Sequence, residues 1–343
     1  MTCKDRSTDC AIATGRLEEH IKVQRIVFVG DGTMSELYPG WPVHLEPKHP
    51  PAKKLIINVA PGWLIREQLP SAPYTPEEIA DEVKAAYKVG ASMWHIHLRN
   101  PASGSHRGMS VEERVRLHRQ TCDLVLAECP DIITDPSGAQ PYDDDSVQAR
   151  IKPYFEVLVG MNPRYADIAV LNMGTMALGL GKPTLFVNTI PGLIAQGKAL
   201  EALGIKPEFA CYTLGMIEDT KKHFLRVARK PWLIDVLVGL HNTMPGNPRV
   251  LEVASDMLHE DGIVWQAICG GRDWLRLASE ALMLGADAVR VGKEDSVYWY
   301  PDRDDKITSC ADVVAKIARI ARELGREIAS PSEARRTLGL KQT

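Results

Sequence analysis

The sequence predicts an α/β fold in which eight strands and their helices close into a (β/α)8 TIM barrel. From Lys54 onward, short runs rich in β-branched residues alternate with longer helical stretches, which is typical of a parallel sheet. Eight of these runs are strand candidates, and eight is the number that closes such a barrel. The segments 87–91 and 283–287 both combine a helix end, a glycine, an alanine and a strand start, as expected when one β/α unit recurs.

The predicted strands follow one another along the whole barrel segment. In chain order they are Leu55–Val59, Ser92–Leu98, Ile132–Asp135, Ile168–Asn172, Glu208–Thr213, Leu233–Val238, Ile263–Ala267 and Ala288–Gly292. A further run, Thr184–Asn188, is interpreted as a ninth short strand on a connecting loop. Helix starts are marked by Thr75, Ser110 and Ser330, each followed three residues later by glutamate in a capping-box pattern. Helix ends are marked by glycines, at Gly90, Gly204, Gly285 and Gly325.

The first part of the chain differs from the rest. It contains one apolar run, Ile26–Val29, within turn-rich sequence. We therefore interpret residues 1–53 as an N-terminal extension and residues 54–343 as the TIM-barrel catalytic domain, since single α/β barrels commonly reach this length.

Composition limits the partners of this chain. The formal net charge is −3 and no polybasic block occurs, so nucleic acid is not an expected partner. No apolar stretch approaches the ~20 residues that span a bilayer, and no signal-peptide core follows Met1, so no membrane association is expected. The seven cysteines form no CxxC pairs, which favours reduced thiols and a cytoplasmic location.

A pair of histidines marks the candidate catalytic end of the barrel. In an extended strand, residues two apart point to the same face, so His95 and His97 can share one metal ion. A buried core histidine beside a surface histidine is the alternative. Two histidines and one carboxylate form a known catalytic zinc arrangement, and Glu294, just past the last strand, is the best third ligand. We therefore expect Zn²⁺, although similar sites accept other divalent ions.

Two more charged residues accompany Glu294. Asp295 is a candidate general base, and Arg290 can pair with it and orient its carboxylate. The alternative makes residues 294–295 a solvated helix N-terminus and Arg290 a surface charge. Arg290 lies inside the apolar run Ala288–Val291, however, which favours a site.

Weaker candidates follow other strands. Ser137 and Gly138 offer a hydroxyl and flexible backbone amides for a substrate carboxylate, although an ordinary turn explains them equally well. Asn172 ends another strand and is a candidate hydrogen-bond donor. Arg272, after two glycines and before a helix near Trp274, is a weak candidate for contacting a phosphate of a cofactor.

Together these motifs resemble the β-keto acid cleavage enzymes, a zinc-dependent TIM-barrel family typified by 3-keto-5-aminohexanoate cleavage enzyme. The matching segments are 95–99, 132–138, 171–175, 290–295 and 315–335, within a similarity that covers residues 54–340. The resemblance implies that His95, His97 and Glu294 bind zinc and that Asp295, assisted by Arg290, takes a proton from substrate C2. It places Ser137 and Asn172 near the substrate carboxylate.

The resemblance also implies a reaction. A β-keto acid reacts with acetyl-CoA and yields acetoacetate and a new acyl-CoA, in an enzyme expected to be a homo-oligomer, either a dimer or a tetramer. Family members that act on the amino-substituted acid carry acidic residues after the first strand and in the strand containing Phe209–Thr213. This chain has no acid between Asn58 and Arg66 and none in Phe209–Thr213, which predicts a different acyl chain.

Two other functions are compatible with a barrel. A metal-dependent hydrolase of the amidohydrolase kind also places an HxH pair on a barrel strand, and would need further ligands such as His241 together with Asp295. A non-catalytic binding or scaffold barrel is disfavoured by the polar residues at several strand ends.

Overall fold

The computed structural model describes residues 52–105, 109–137, 157–160, 162–178 and 184–343. The extension predicted for residues 1–53 lies outside the described residues except for its last two positions, so its boundary stays a prediction. Gly138 also lies outside the described residues. No helix in the described ranges is long and apolar enough to cross a bilayer.

The predicted (β/α)8 barrel is confirmed. Its parallel strands are β1 Ile56–Val59, β2 Met93–Ile96, β3 Ile133–Pro136, β4 Ile168–Asn172, β5 Lys206–Cys211, β6 Trp232–Val238, β7 Ile263–Cys269 and β8 Ala288–Val291. They form one 8-stranded sheet in the order β3-β2-β1-β8-β7-β6-β5-β4. The additional predicted strand forms an antiparallel hairpin, in which Thr184–Phe186 pairs with Met176–Leu178 outside the barrel.

The seam between β3 and β4 is joined through one residue. The backbone N–H of Asp167 donates to the Thr134 carbonyl at 3.0 Å, and the Thr134 N–H donates to the Asp167 carboxylate at 3.0 Å. Arg335 Nη1 and Nη2 donate to the two oxygens of the same Asp167 carboxylate, at 3.0 and 2.8 Å. The sheet is therefore nearly closed, and a C-terminal side chain secures the seam.

The helices follow the strands as the capping signals predict. They are α1 Pro76–Lys88, α2 Val111–Leu126, α3 Ile190–Ala202, α4 Leu214–Asp219, α5 Pro248–Leu258, α6 Trp274–Met283, α7 Cys310–Glu323 and α8 Pro331–Leu338. Thr75 and Ser330 form complete capping boxes with Glu78 and Glu333. The glycines predicted to end helices have positive φ, the conformation in which a side chain is unfavourable.

The barrel interior has an apolar floor below a polar centre. The floor consists of inward-facing strand residues, which are Ile56, Met93, Ile133, Ile168, Leu233, Val264 and Ala288, and α8 packs Ala334 and Leu338 against it. Two residues further along six of these seven strands, the side chain on the same face is polar and buried; these residues are Asn58, His95, Asp135, Asp235, Gln266 and Arg290. The interior therefore changes from apolar to polar at mid-barrel, on the way toward the carboxyl ends of the strands, the end at which barrel enzymes place their chemistry.

Candidate active site

The structure brings His95, His97 and Glu294 together at the carboxyl end of the barrel. The Nε2 atoms of the two histidines are 3.1 Å apart. Glu294 Oε1 lies 3.3 Å from His97 Nε2 and 3.8 Å from His95 Nε2. One ligand atom of each residue therefore falls within 4.8 Å of the others, a spacing at which three groups can hold one metal ion.

The donor set fits a divalent cation. Two imidazole nitrogens and one carboxylate are the ligands of a catalytic zinc site that keeps a position open for substrate. The second carboxylate oxygen of Glu294 is buried without a hydrogen-bond partner in the described part of the chain. Since buried polar atoms are normally partnered, this oxygen also points to a missing ligand.

Gly292 explains how Glu294 reaches the site. It has φ +146°, and a Cβ there would collide with the Ala60 carbonyl group. The close approach lets the Glu294 N–H donate to the Ala60 carbonyl oxygen at 3.2 Å. The end of β8 is thereby held against the end of β1, and the Glu294 side chain turns toward β2.

A carboxylate behind the site orients the first histidine. His95 Nδ1 lies 2.7 Å from Asp135 Oδ2, and these two residues are paired in the register of β2 and β3. With Nδ1 engaged, Nε2 is directed toward His97 and Glu294, as in carboxylate–histidine–metal arrangements. Asp135 was not predicted from the sequence; the signal that could have identified it is its inward position at the same level as His95.

Burial and neighbouring charges set the protonation of the ligand group. Burial lowers the pKa of His97, and this outweighs the attraction of Glu294, which favours the neutral ring that a metal requires. Burial also lowers the pKa of His95, but Asp135 and Glu294 raise it above its ordinary value overall. Burial raises the pKa of Glu294, yet His97 and Arg290 bring it well below its usual range.

Arg290 and Asp295 form a buried ion pair beside these ligands. Arg290 Nε and Nη2 donate to the two Asp295 carboxylate oxygens at 3.1 and 2.6 Å. Arg290 Nη2 is also 3.0 Å from Glu294 Oε1. Burial raises the pKa of Asp295, and Glu294 adds to this, so the pKa stays above its ordinary value despite Arg290. A fixed carboxylate with a raised pKa is a stronger base.

The weaker candidates at β3 and β4 lie at the same end of the barrel. Ser137 directly follows β3, and its N–H donates to the Ile96 carbonyl at 3.0 Å. Asn172 ends β4, and its Oδ1 accepts a hydrogen bond of 2.6 Å from the Tyr212 hydroxyl. Tyr212 was not predicted from sequence, although it stands two residues beyond the inward-facing Ala210. The substrate-binding roles of Ser137 and Asn172 stay predictions.

Arg272 and His241 lie apart from this group. The Arg272 guanidinium contacts Asp304 at 2.5 Å and the Arg303 carbonyl at 2.8 Å, and stacks over the Tyr298 ring. It is therefore engaged within its own chain, and its phosphate-binding role stays a prediction. His241 is exposed after β6, and it is not part of the ligand group found among the described residues.

Two carboxyl side chains, one from β5 and one from β6, point into the barrel interior. Gln266 Nε2 donates to Glu208 Oε1 at 2.8 Å and to Asp235 Oδ1 at 2.9 Å. Burial raises the pKa of Glu208 well above its ordinary value, and Asp135 and Asp235 raise it further. Burial also raises the pKa of Asp235, to about 7. These residues were not predicted as a group from the sequence, because their contact depends on the barrel register.

The other side of the mouth is apolar. A cluster that we call the apolar wall covers the upper inward positions of β4 to β7 and consists of Val170, Ala210, Tyr212, Leu237, Leu240 and Ile268. The metal-ligand candidates, in contrast, come from β2 and from the segment after β8. The mouth thus has a charged half and an apolar half.

The loop after β1 covers part of the charged half. The Trp63 ring packs edge-on against His97, with ring centroids 4.6 Å apart. Arg99 Nη1 donates to the Leu64 carbonyl of the same loop. Burial lowers the pKa of Arg99 to about 10, although Tyr74 and Glu294 oppose this effect.

The chain is similar to proteins of known activity. A family model described as beta-keto acid cleavage enzyme matches residues 54–340. A 3-keto-5-aminohexanoate cleavage enzyme from Fusobacterium nucleatum is 33% identical over 296 residues, which cover 84% of this chain and 99% of the relative. A 3,5-dioxohexanoate:acetyl-CoA acetone transferase from Paraburkholderia graminis is 28% identical, with 84% and 96% covered.

A solved structure supports the fold. The ternary complex of ObcA with C4-CoA adduct and oxalate is 19% identical and has a TM-score of 0.64, covering 79% of this chain and 68% of that chain. At this level of identity the similarity concerns the barrel architecture alone.

Proposed function

This chain belongs to the beta-keto acid cleavage enzyme family, and we propose that it converts a β-keto acid and acetyl-CoA into acetoacetate and a new acyl-CoA, using zinc. The observation that carries the proposal is the meeting of His95, His97 and Glu294 within 4.8 Å, beside a buried Arg290–Asp295 pair. A bound Zn²⁺ would polarise the oxygens of the keto acid and so lower the cost of a carbanion at C2.

The residues of the chain supply the remaining steps. Asp295, fixed by Arg290, accepts the C2 proton, and Ser137 and Asn172 hold the carboxylate. The C2 carbanion attacks the acetyl carbonyl of acetyl-CoA and expels the CoA thiolate. The thiolate then attacks the original C3 carbonyl, the C2–C3 bond breaks, and Asp295 returns its proton to C2 of acetoacetate. No enzyme nucleophile is required.

The apolar wall supports a substrate class. The segment from Asn58 to Leu64 and the wall residues Ala210 and Leu237 contain no carboxylate that could hold an ammonium group. Glu208 and Asp235, one inward position below the wall, are buried and already accept hydrogen bonds from Gln266. Burying an unpaired ammonium group against such a surface would be costly. We therefore infer that the acyl chain carries no positive charge and is apolar, unlike the substrate named for the Fusobacterium nucleatum relative.

A substrate panel tests the reaction. β-Keto acids with apolar, amino and carboxyl substituents are incubated with acetyl-CoA, and the CoA esters are identified by mass spectrometry. We expect new acyl-CoA from the apolar members and none without acetyl-CoA. Hydrolysis that proceeds without CoA would favour the amidohydrolase-like alternative instead.

Metal analysis tests the ligands. We expect about one zinc per chain, lost in His95→Ala and His97→Ala but retained in His241→Ala. His241 is a matched control because it is exposed beyond β6 and is the extra ligand of the alternative. Full zinc content in both ligand variants would disprove the assignment, and zinc loss in His241→Ala would support the alternative.

We also propose a homo-oligomer, dimer or tetramer, in the cytoplasm. Symmetric homo-oligomers are the commonest assemblies of soluble enzymes. The cysteines in the described ranges are free and buried, which suits a reducing compartment. Light scattering coupled to size-exclusion chromatography measures the assembly, and a monomeric mass would contradict it.

A further inference from the structure

Arg99 is a buried cation with unused hydrogen-bond donors. Its side chain is 1% exposed, and it follows the ligand candidate His97 by two residues. Nη1 donates to the Leu64 carbonyl, but Nε and Nη2 are buried without a partner among the described residues. A buried guanidinium that lacks partners is costly, and such groups are rarely kept without a function.

A comparison with Arg66 shows that stacking on an aromatic ring does not account for the missing hydrogen-bond partners of Arg99. Both guanidinium groups stack over the same Tyr74 ring, Arg66 at 4.4 Å and Arg99 at 5.2 Å from its centroid. The Arg66 guanidinium has hydrogen-bond partners on this edge, since Nη2 donates to Glu78 at 2.6 and 2.7 Å and Nε donates to the Ala72 carbonyl at 3.2 Å. Arg99 has no carboxylate partner of this kind in the described part of the chain.

The unused donors lie under the loop that covers the candidate metal ligands. A Cβ built on Gly62 would be 3.5 Å from Arg99 Nη2, so this nitrogen lies beside the start of the loop. The next residue, Trp63, packs on His97. The same loop therefore covers both the unpartnered edge of the Arg99 guanidinium and the candidate metal ligands at the carboxyl end of the barrel.

We propose that Arg99 binds an anionic oxygen group of the substrates through Nε and Nη2. A guanidinium edge with two parallel donors matches a carboxylate or a phosphate. The anion is the carboxylate of the β-keto acid or a phosphate of acetyl-CoA, and this identification rests on the proposed function. Arg99 would thus be a substrate-binding residue in addition to Ser137 and Asn172.

Separate binding measurements test the proposal. Acetoacetate and CoA are titrated calorimetrically, one at a time, into the zinc-loaded wild-type protein and into Arg99→Gln, Arg99→Lys and Arg66→Gln. We expect Arg99→Gln to weaken one of the two ligands by about 10- to 100-fold, the loss typical of a charge-assisted hydrogen-bonded pair. Arg99→Lys should lose less because it keeps the charge, and Arg66→Gln should change neither affinity.

The ligand that is weakened identifies the source of the anion. Thermal unfolding separates a structural role, because a purely structural arginine would lower the melting temperature of Arg99→Gln and leave both affinities unchanged. Wild-type affinity for both ligands in Arg99→Gln and in Arg99→Lys overturns the proposal. The proposed function fails in a different way, when the wild-type enzyme forms no new acyl-CoA from any β-keto acid.

Discussion

Replacing Glu208 by glutamine should change how the stability of the protein depends on pH. Glu208 lies inside the barrel on β5 and is 1% exposed. Burial raises its pKa well above the ordinary value, and Asp135 and Asp235 add to this. The native state therefore holds this proton to a higher pH than the unfolded chain does.

The sign and size follow from proton linkage. An acid whose pKa is higher in the native state contributes stability that is complete below its unfolded pKa. That contribution is lost as pH rises toward the native pKa, at about 1.4 kcal/mol per pH unit. Glutamine stays neutral, and its side-chain carbonyl can still accept the 2.8 Å hydrogen bond from Gln266. The unfolding free energy of Glu208→Gln relative to wild type should therefore rise from pH 6 to pH 8, by at most about 1.4 kcal/mol per pH unit.

Urea unfolding at pH 6, 7 and 8 measures this difference, first with a chelator and then with zinc. Glu333→Gln is the matched control. The backbone N–H of Ser330 and the ammonium group of Lys54 lower the pKa of Glu333 to about 2, so it is ionised in both states throughout this range. The control should differ from wild type by a constant amount. If the Glu208→Gln and wild-type stabilities run parallel with pH, Glu208 is ionised in the native state and the reasoning is wrong.

The other predictions concern the candidate site. Asp295→Asn should keep its zinc but lose about 10²- to 10⁴-fold in the exchange of substrate C2 hydrogen with solvent, measured by NMR; wild-type exchange would remove Asp295 from the role of base. Asp135→Asn should weaken zinc binding by about 10- to 100-fold in a chelator competition, and an unchanged affinity would mean that His95 needs no orienting carboxylate. Gly292→Ala should lower both zinc content and melting temperature, because a Cβ collides with the Ala60 carbonyl; wild-type values for both would show that this approach is not needed to place Glu294.

Local signals predicted most of the fold. The β-branched runs gave all the barrel strands to within a few residues, and Thr75 and Ser330 marked helix starts that the structure confirms. These features depend on short stretches of chain, where periodicity and capping act directly. The hairpin strand Thr184–Phe186 was also recognisable, since it is a short apolar run of the same kind.

Contacts between distant segments were predictable only where chemistry limited the choice. His95 and Glu294 could be associated across almost 200 residues because a metal needs several ligands and strand ends converge in a barrel. Asp135, Glu208 and Tyr212 were missed because their partners depend on register, and a shift of one residue would turn each side chain to the opposite face. The lack of hydrogen-bond partners at Arg99 Nε and Nη2 within the described ranges could not be predicted for the same reason, since the sequence does not show which donors remain unpaired.

The charged half and the apolar half of the barrel mouth are formed by different strands. The ligand candidates and the Arg290–Asp295 pair come from β2, from β8 and from the segment that follows β8, which meet beside β1. The apolar wall comes from β4 to β7, on the other side of the same sheet. A β-keto acid has the same asymmetry, with two oxygen-bearing groups at one end and an acyl chain at the other. We therefore expect changes in the wall, at Ala210 or Leu237 for example, to alter the acyl chain that is accepted without displacing the charged residues that we propose to act on C2.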